Sequence, residues 1–432
     1  LQRKHGRQAI KDRLCIIIRI FFVSLQIVMT LLKQYILLIV FMLPHLSAAA
    51  RDNASTSFIG GIPVMDSISV SILTCTPGAE LYSKFGHTAL RVKNHTRNKD
   101  IVFNYGCFDY SEHNFVFKFL LGQTDYMLNA EPYNYLVERY GYMGTGVKEQ
   151  VLNLTQGEAN HLYILLLDNI RPENQEYRYI WLYDNCTERA RNMVEKAVDG
   201  AIVYNRATVS LTIRQMLHQC LKEDPWTCFG IDMILGAEID QPVDKRIQMF
   251  LPDFFSAEAS EAYIAKNDGS RIPYIATTND IIKETLKREQ ASFLLSPLLT
   301  LSLLFLLSIA LFMQELVKSR YQMWLDIPLL VFQGLAGIIV SFLFFFSSHP
   351  AVDSNWLIII LNPIPLFYAG WIICCQKKGK RNTLSYLNIG ILVIFSAIML
   401  IGPQKYNPAM YLLVLTFLVR ALSQGHFAYH QK

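Results

Sequence analysis

The chain has 432 residues, of which 52% are hydrophobic and only 17% charged. That balance is too apolar for one soluble domain and calls for membrane spans. The formal net charge of +5 is modest for the length, and the basic residues gather at the N-terminal stretch and beside apolar segments, so membrane topology accounts for them and a nucleic-acid surface does not.

Residues 1–28 are basic and then apolar. From Met29 the pattern is that of a secretory signal: Lys33 supplies the positive start, Tyr35 to Leu43 the apolar core, and Ser47-Ala48-Ala49-Ala50 a small-residue cleavage site. The expected organisation is an upstream extension at 1–28, a signal peptide at 29–50, an exported domain at 51–290 and a transmembrane domain at 291–432. An uncleaved anchor in place of the signal peptide would export the same segment.

The exported region reads as α+β. Ser67 to Thr74 is rich in strand formers and ends in the turn Cys75-Thr76-Pro77-Gly78. Glu80 to Phe85 suits a short helix, and Thr88 to Val92 and Ile101 to Tyr105 read as paired strands across a polar loop. Helical apolar spacing follows at Asn114 to Leu121 and Tyr133 to Tyr140, strand alternation at Val147 to Leu154, and helix again at Gly157 to Leu167. The apolar run Tyr179 to Tyr183 leads into Asp184 and Asn185, both good capping types. Ala190, Met193, Val194, Ala197 and Val198 then recur at helical spacing over Thr187 to Val198. Thr212 to Leu221 and Phe229 to Gly236 complete the helices.

From Phe293 the character changes. Phe293–Met313, Pro328–Phe346, Trp356–Cys374, Leu384–Ile401 and Met410–Ala421 are apolar stretches that read as five spans, the last one short. Lys318 and Arg320 follow the first, and Lys377, Lys378, Lys380 and Arg381 the third, which puts those loops inside. Ser347 to Asn355 should then share a side with the exported domain. His349, Asp353, Asn355 and Asn362 lie close to the membrane plane there, either capping helix ends or touching a substrate.

Two motifs carry chemistry. Cys186 falls at a helix N-terminus, where unpaired N–H groups and the helix dipole favour thiolate over thiol. A lone cysteine is more often buried or disulfide-bonded, so the second motif decides: Phe85-Gly86-His87-Thr88, a histidine in a glycine-preceded turn just ahead of a strand. Together they suggest a Cys–His dyad in which Cys186 is the nucleophile and His87 the base, with Asn104 on the next strand orienting the ring and Asp109 as its substitute. The backbone N–H of Cys186 and one neighbour would form the oxyanion hole. Phe115, Phe117, Phe119, Tyr126, Tyr133 and Tyr135 are aromatic residues of this domain, and such residues are more often core. The eight cysteines show no CxxC or Cys/His ligand spacing, so neither a metal nor a cofactor is expected. Cys220 and Cys228, around Pro225-Trp226, are the expected disulfide.

Leu73-Thr74-Cys75-Thr76-Pro77-Gly78, Phe85-Gly86-His87-Thr88-Ala89, Asn104-Tyr105-Gly106 and Tyr183-Asp184-Asn185-Cys186 resemble the N-terminal periplasmic domain of the Lnb family. The multi-span tail, with His349-Pro350, Asn355-Trp356 and Asn362-Pro363, is similar to that family's membrane domain. The resemblance implies an α+β permuted papain-like (NlpC/P60-related) periplasmic catalytic domain at 51–290, followed by an all-α five-helix transmembrane domain. It implies a lipoprotein N-acyltransferase of the bacterial inner membrane with His87 as base and Cys186 as nucleophile. Its partners would be a phospholipid acyl donor, a diacylated lipoprotein acceptor and the bilayer, with His349 and Asn355 toward substrate and an acyl-chain slot among the aromatic residues from Phe115 to Tyr135. Thr187-Glu188-Arg189 departs from the family's expected Ser-Thr-Arg, at positions expected to face outward. Other readings keep the dyad but hydrolyse, as a phospholipase or a cell-wall peptidase or amidase, or drop catalysis for a membrane receptor or assembly factor with Cys186 bonded to Cys75 or Cys107.

Overall fold

The computed structural model describes residues 58–59, 62–63, 66–109, 114–205, 210–286 and 296–430. The expected extension and signal peptide lie outside the described residues.

Seven strands make one antiparallel sheet: β1 (Ile68–Cys75), β2 (His87–Asn94), β3 (Lys99–Cys107), β4 (Asp125–Pro132), β5 (Val147–Leu152), β6 (Glu176–Arg178) and β7 (Ile275–Ile282), in the order β7-β5-β1-β2-β3-β4-β6. Period-two alternation gives the sheet two apolar faces. Ile68, Val70, Ile72, Leu90, Val92 and Phe103 face one core with α3 (Gln156–Asn169) and α4 (Cys186–Ala197). Leu73, Cys75, Ala89 and Val102 face the other, closed by Leu136 of α2 (Tyr133–Met143). Helix α3 starts in a capping box between Thr155 and Glu158.

Helices α5 (Ile213–Cys220), α6 (Pro225–Ile234) and α7 (Pro252–Glu261) follow. The membrane part holds α8 (Pro297–Lys318), α9 (Asp326–Phe346), α10 (Ile364–Lys378), α11 (Leu384–Ile401) and α12 (Pro408–His430). Among the described residues five candidate spans result, the third running Trp356–Lys378 through a short 3-10 turn and the Asn362-Pro363 break. The first and last are longer than hydropathy suggested. Glu315 and Arg420, which interrupt the apolar pattern, bond each other at 2.9 Å, and Arg420 also reaches Asp326, so the charges are satisfied and the helices continue.

The two parts share their cores. Phe229 of α6 packs into the membrane cluster with Leu357, Leu413 and Phe417. Leu343, Ala351 and Val352 pack among Ile213, Leu217 and Leu235 of the α5–α6 layer. Backbones come so close at Gly236 that a Cβ there would lie 2.2 Å from the Ser354 carbonyl carbon. The 347–355 segment is thus on the side of the sheet domain, as the loop charges require.

Candidate active site

His87 is the first residue of β2, not a turn residue ahead of it, and pairs with Cys75 across the sheet. Gly86 before it has φ +77°, and a Cβ there would meet the Cys75 carbonyl oxygen at 2.7 Å. Glycine alone fits, and the sharp entry sets the imidazole at the sheet end. Cys186 is the first residue of α4. Asn185 caps that helix, its side-chain oxygen accepting from the N–H groups of Thr187 and Glu188, while its amide donates to the carbonyls of Trp181 and Phe250. A cap of this kind contributes about 1 kcal/mol, and here it also bolts the turn that carries Cys186 to the α7 side of the domain.

The structure brings the three residues together. The Cys186 and His87 side chains are near enough for each to shift the other's titration, and His87 Nε2 lies 3.1 Å from Asn104 Oδ1. Behind Asn104, its Nδ2 donates to Glu131 Oε1 at 2.9 Å, and Arg139 donates twice to the same carboxylate at 2.6 and 2.7 Å. That chain fixes a proton. A carboxylate only accepts, so the Asn104 amide nitrogen must face Glu131 and its oxygen must face the ring. Nε2 therefore carries the hydrogen, which leaves Nδ1 for the thiol.

Electrostatics favour a thiolate–imidazolium pair. Burial pushes the Cys186 thiol upward, but the His87 charge and hydrogen bond, the Thr88 backbone N–H and the Thr187 hydroxyl outweigh it and bring it below the ordinary value. Burial pushes His87 downward, and the Cys186 charge and hydrogen bond, helped by Asn104, hold it above the ordinary value. The neighbouring thiols go the other way: burial pushes both Cys75 and Cys107 up to about 12. Three cysteines meet here and one is set to ionise. Cys186 is a free thiol, so it is bonded to neither Cys75 nor Cys107.

Family models match two parts of the chain. The model of the Lnb N-terminal periplasmic domain matches residues 64–219, and that of the Lnb transmembrane domain matches residues 288–432. The chain belongs to the Lnb family. No curated protein and no solved structure matches it. It is a multi-pass membrane protein whose periplasmic Lnb domain holds His87, Asn104 and Cys186, and whose Lnb transmembrane domain holds His349 and Asn355.

Neither of the last two residues bonds Cys186, His87 or Asn104; His349 reaches the periplasmic Lnb domain, and Asn355 joins the transmembrane domain to the segment that precedes it. His349 Nε2 donates to the Phe119 carbonyl at 2.6 Å, and Ser348 beside it bonds the carbonyls of Leu121 and Gly122. Asn355 is buried: its amide donates to the Met233 carbonyl, and its oxygen accepts from Leu357 N–H and Gln404. Tyr133 lies under the Arg91 guanidinium, 3.4 Å from its ring centre. Thr187 and Glu188 are buried, contrary to the outward placement expected of them, and Thr187 Oγ1 lies 3.0 Å from Thr88 Oγ1 beside the dyad.

Glu131 and Arg139 were missed because nothing in their local sequence points to Asn104; only the β3–β4 register does. No disulfide joins Cys220 to Cys228. Cys228 instead stands beside His218 and Asp232, the three donor atoms lying within 4.8 Å of one another, a set whose members are 10 and 4 residues apart in sequence. Asp232 is already held by Arg214 at 2.7 Å and by Asn407 at 3.1 Å.

Proposed function

We propose that this protein is a lipoprotein N-acyltransferase of the bacterial inner membrane, working through a thioester on Cys186. The observation that carries the reading is the Cys186–His87–Asn104 constellation, braced by Glu131 and Arg139, on a periplasmic domain whose core is continuous with five spans. In chain order the base precedes the nucleophile, and the strand-borne histidine and the cysteine at the first position of its helix support a permuted papain-like arrangement.

In the first step the Cys186 thiolate attacks the acyl ester carbonyl of a membrane phospholipid. The tetrahedral oxyanion is assigned to the Cys186 N–H, since the Asn185 cap takes the next two. The C–O bond breaks, His87 hands its proton to the departing lysophospholipid oxygen, and the acyl group stays on sulfur. In the second step the α-amine of a diacylglyceryl-cysteine attacks the thioester. His87 accepts the amine proton, the C–S bond breaks, and an amide leaves with the thiolate restored. Both substrates live in the outer leaflet, so a domain fused to spans turns a search in three dimensions into a local one.

Mass spectrometry of lipoprotein N-termini tests this, in a strain without other N-acyltransferases. Triacylated N-termini that appear with the protein and vanish with Cys186→Ala support the reading. Triacylation sustained by Cys186→Ala ends it, and release of free fatty acid without amide formation assigns hydrolysis instead.

A further inference from the structure

Helix α1 (Phe115–Leu120) reads Phe-Val-Phe-Lys-Phe-Leu, and none of its six side chains is buried. Val116 is 71% exposed and Phe117 54%, with Phe119 and Leu120 open beside them. On a surface facing water such a patch would be an aggregation liability. It does not face water alone. The Phe117 ring packs 5.9 Å from Phe342 of α9, one helical turn, or about 6 Å, inside the outer end of that span. His349 and Ser348, just beyond the span, cap the carbonyls at the end of α1. Gly122 allows this approach, because a Cβ there would lie 2.8 Å from the His349 nitrogen. Phe345 and Phe346 are exposed at the same end and carry the apolar surface of the span onto that of α1. The helix thus lies at the depth where interfacial helices bury apolar side chains, about 5–10 Å into the headgroup–acyl boundary.

From α1 a row of rings runs to the dyad. Phe119 contacts Phe115 at 6.4 Å, Phe115 contacts Phe108 at 5.4 Å, Phe108 contacts Tyr126 at 4.9 Å, and Tyr126 stacks on Tyr179 at 4.1 Å. Tyr179 and Cys186 both lie against Gly106, each 3.6 Å from where its Cβ would be. Phe119 is open, Phe115 and Phe108 are half-buried, Tyr126 is buried, and Tyr179 at the inner end is half-buried.

We propose that α1 is the lipid entrance of this protein. Its exposed face lies in outer-leaflet hydrocarbon, and one acyl chain of a bilayer phospholipid passes from there along the ring row, bringing its ester carbonyl to Cys186. The occupant is a membrane phospholipid because the patch continues the lipid-facing end of a span and is capped from it. The passage to Cys186 rests on the acyl-transfer reading of the site; the placement of α1 in lipid does not.

Two measurements on the full chain in phospholipid vesicles test this. With Val116 replaced by the photocrosslinker benzoylphenylalanine, irradiation should give phospholipid adducts at least tenfold above the same probe at Asp268, which is exposed in a polar turn. Adducts no higher than at Asp268 overturn the placement of α1. Second, the double variant Val116→Ser, Phe117→Ser is compared with wild type for acyl-Cys186 formed from phospholipid and from a water-soluble short-chain thioester. The ratio of phospholipid to short-chain acylation should drop at least tenfold. An equal fall for both donors overturns the entrance. If wild type forms no thioester from phospholipid at all, the acyl-transfer reading fails, and the crosslink still decides where α1 lies.

Discussion

Among the described residues two cysteine–histidine pairs stand out, Cys186 with His87 and Cys228 with His218, and their third partners differ: a neutral amide in the first, a carboxylate in the second. His218 Nε2 lies 2.9 Å from both oxygens of Asp232, and hydrogen bonding to that carboxylate and to Cys228 pushes its pKa up to about 10. Such a ring stays imidazolium at neutral pH and has no lone pair with which to take a proton. Asn104 accepts the His87 Nε2–H without bringing a full negative charge, so His87 can both receive and return a proton. The cysteines differ as well. Cys186 opens a twelve-residue helix, with Thr88 N–H directed to its sulfur. Cys228 lies inside α6, its own N–H spent on the Asp224 carbonyl. On the proposed function, the first pair cycles charge and the second holds it.

The largest expected effect separates the two pairs outright. Cys186→Ala and His87→Ala should each lower N-acylation to background, a loss of at least about a thousandfold, with membrane insertion retained. Lipoprotein N-terminal mass spectrometry reads the loss, and the comparison breaks if either variant keeps a tenth of wild-type transfer. Cys186→Ser should be nearly as inactive, because a hydroxyl is not ionised by a helix terminus and one imidazole. A smaller effect follows from making the first pair resemble the second. Asn104→Asp puts a carboxylate against both His87 and Glu131 and should cost about a hundredfold in transfer. It should also extend the alkaline side of the pH profile, since the new charge holds His87 protonated to higher pH. A variant as fast as wild type would show that the neutrality of the third partner is immaterial.

The pH dependence sharpens the same contrast. The Cys186 pKa is depressed, so the thiolate is present above that lowered value and is lost as pH falls through it. The His87 pKa is raised, so the imidazolium persists until pH climbs through that raised value. Alkylation of Cys186 by iodoacetamide, followed by peptide mass spectrometry, should therefore begin at lower pH than for an ordinary thiol. In His87→Ala the positive partner is gone and burial prevails, so the onset should move to higher pH, with about tenfold slower labelling at neutral pH. An onset unmoved by His87→Ala would mean that the helix terminus, not the imidazole, sets the thiol.

Much of this was legible in the sequence, where local pattern and structure coincide. The Cys186 helix begins within one residue of its expected start because Asn185 announces a cap, and Gly86 marks the turn that delivers His87. Strand β4 was not legible: its buried Tyr126 and Leu128 alternate in a run that ends Asn129-Ala130-Glu131-Pro132, and the pairing that makes it a strand comes from β3. Edge strand β7 was missed for a related reason, since Thr277 to Asp280 is polar and gains its partners only from β5. The first span ended early at Met313 because hydropathy counts Glu315 as a break, and the last at Ala421 because Ser423-Gln424-Gly425-His426 is polar, whereas in three dimensions Arg420 and Ser423 both bond Glu315. The second cysteine–histidine pair shows the same limit. Cys220 and Cys228 suggested a disulfide by proximity in sequence, but the helical geometry of α5 and α6 sets Cys228 beside His218 and Asp232 instead.

The smallest effect expected is at that second pair, and it matters because three donors of metal-binding type converge there. Asp232 is buried and already accepts from Arg214, His218 and Asn407, and Arg214 is itself shared with Asp240 at 2.7 Å. A divalent cation would have to displace the imidazolium and settle beside a buried guanidinium, both unfavourable while the ion pairs are intact. The network instead joins α5 and α6 to Asn407, at the start of the last span. Cys228→Ser should then leave N-acylation within about twofold of wild type, and a chelator should leave it unchanged. His218→Gln keeps a donor toward Asp232 but gives up its charge, so it should lower the thermal midpoint in detergent by a few degrees, the cost of about 1 kcal/mol, without altering the pH profile of transfer. If chelation or Cys228→Ser instead removed activity, the second pair would belong to the chemistry and the division between a cycling pair and a holding pair would collapse.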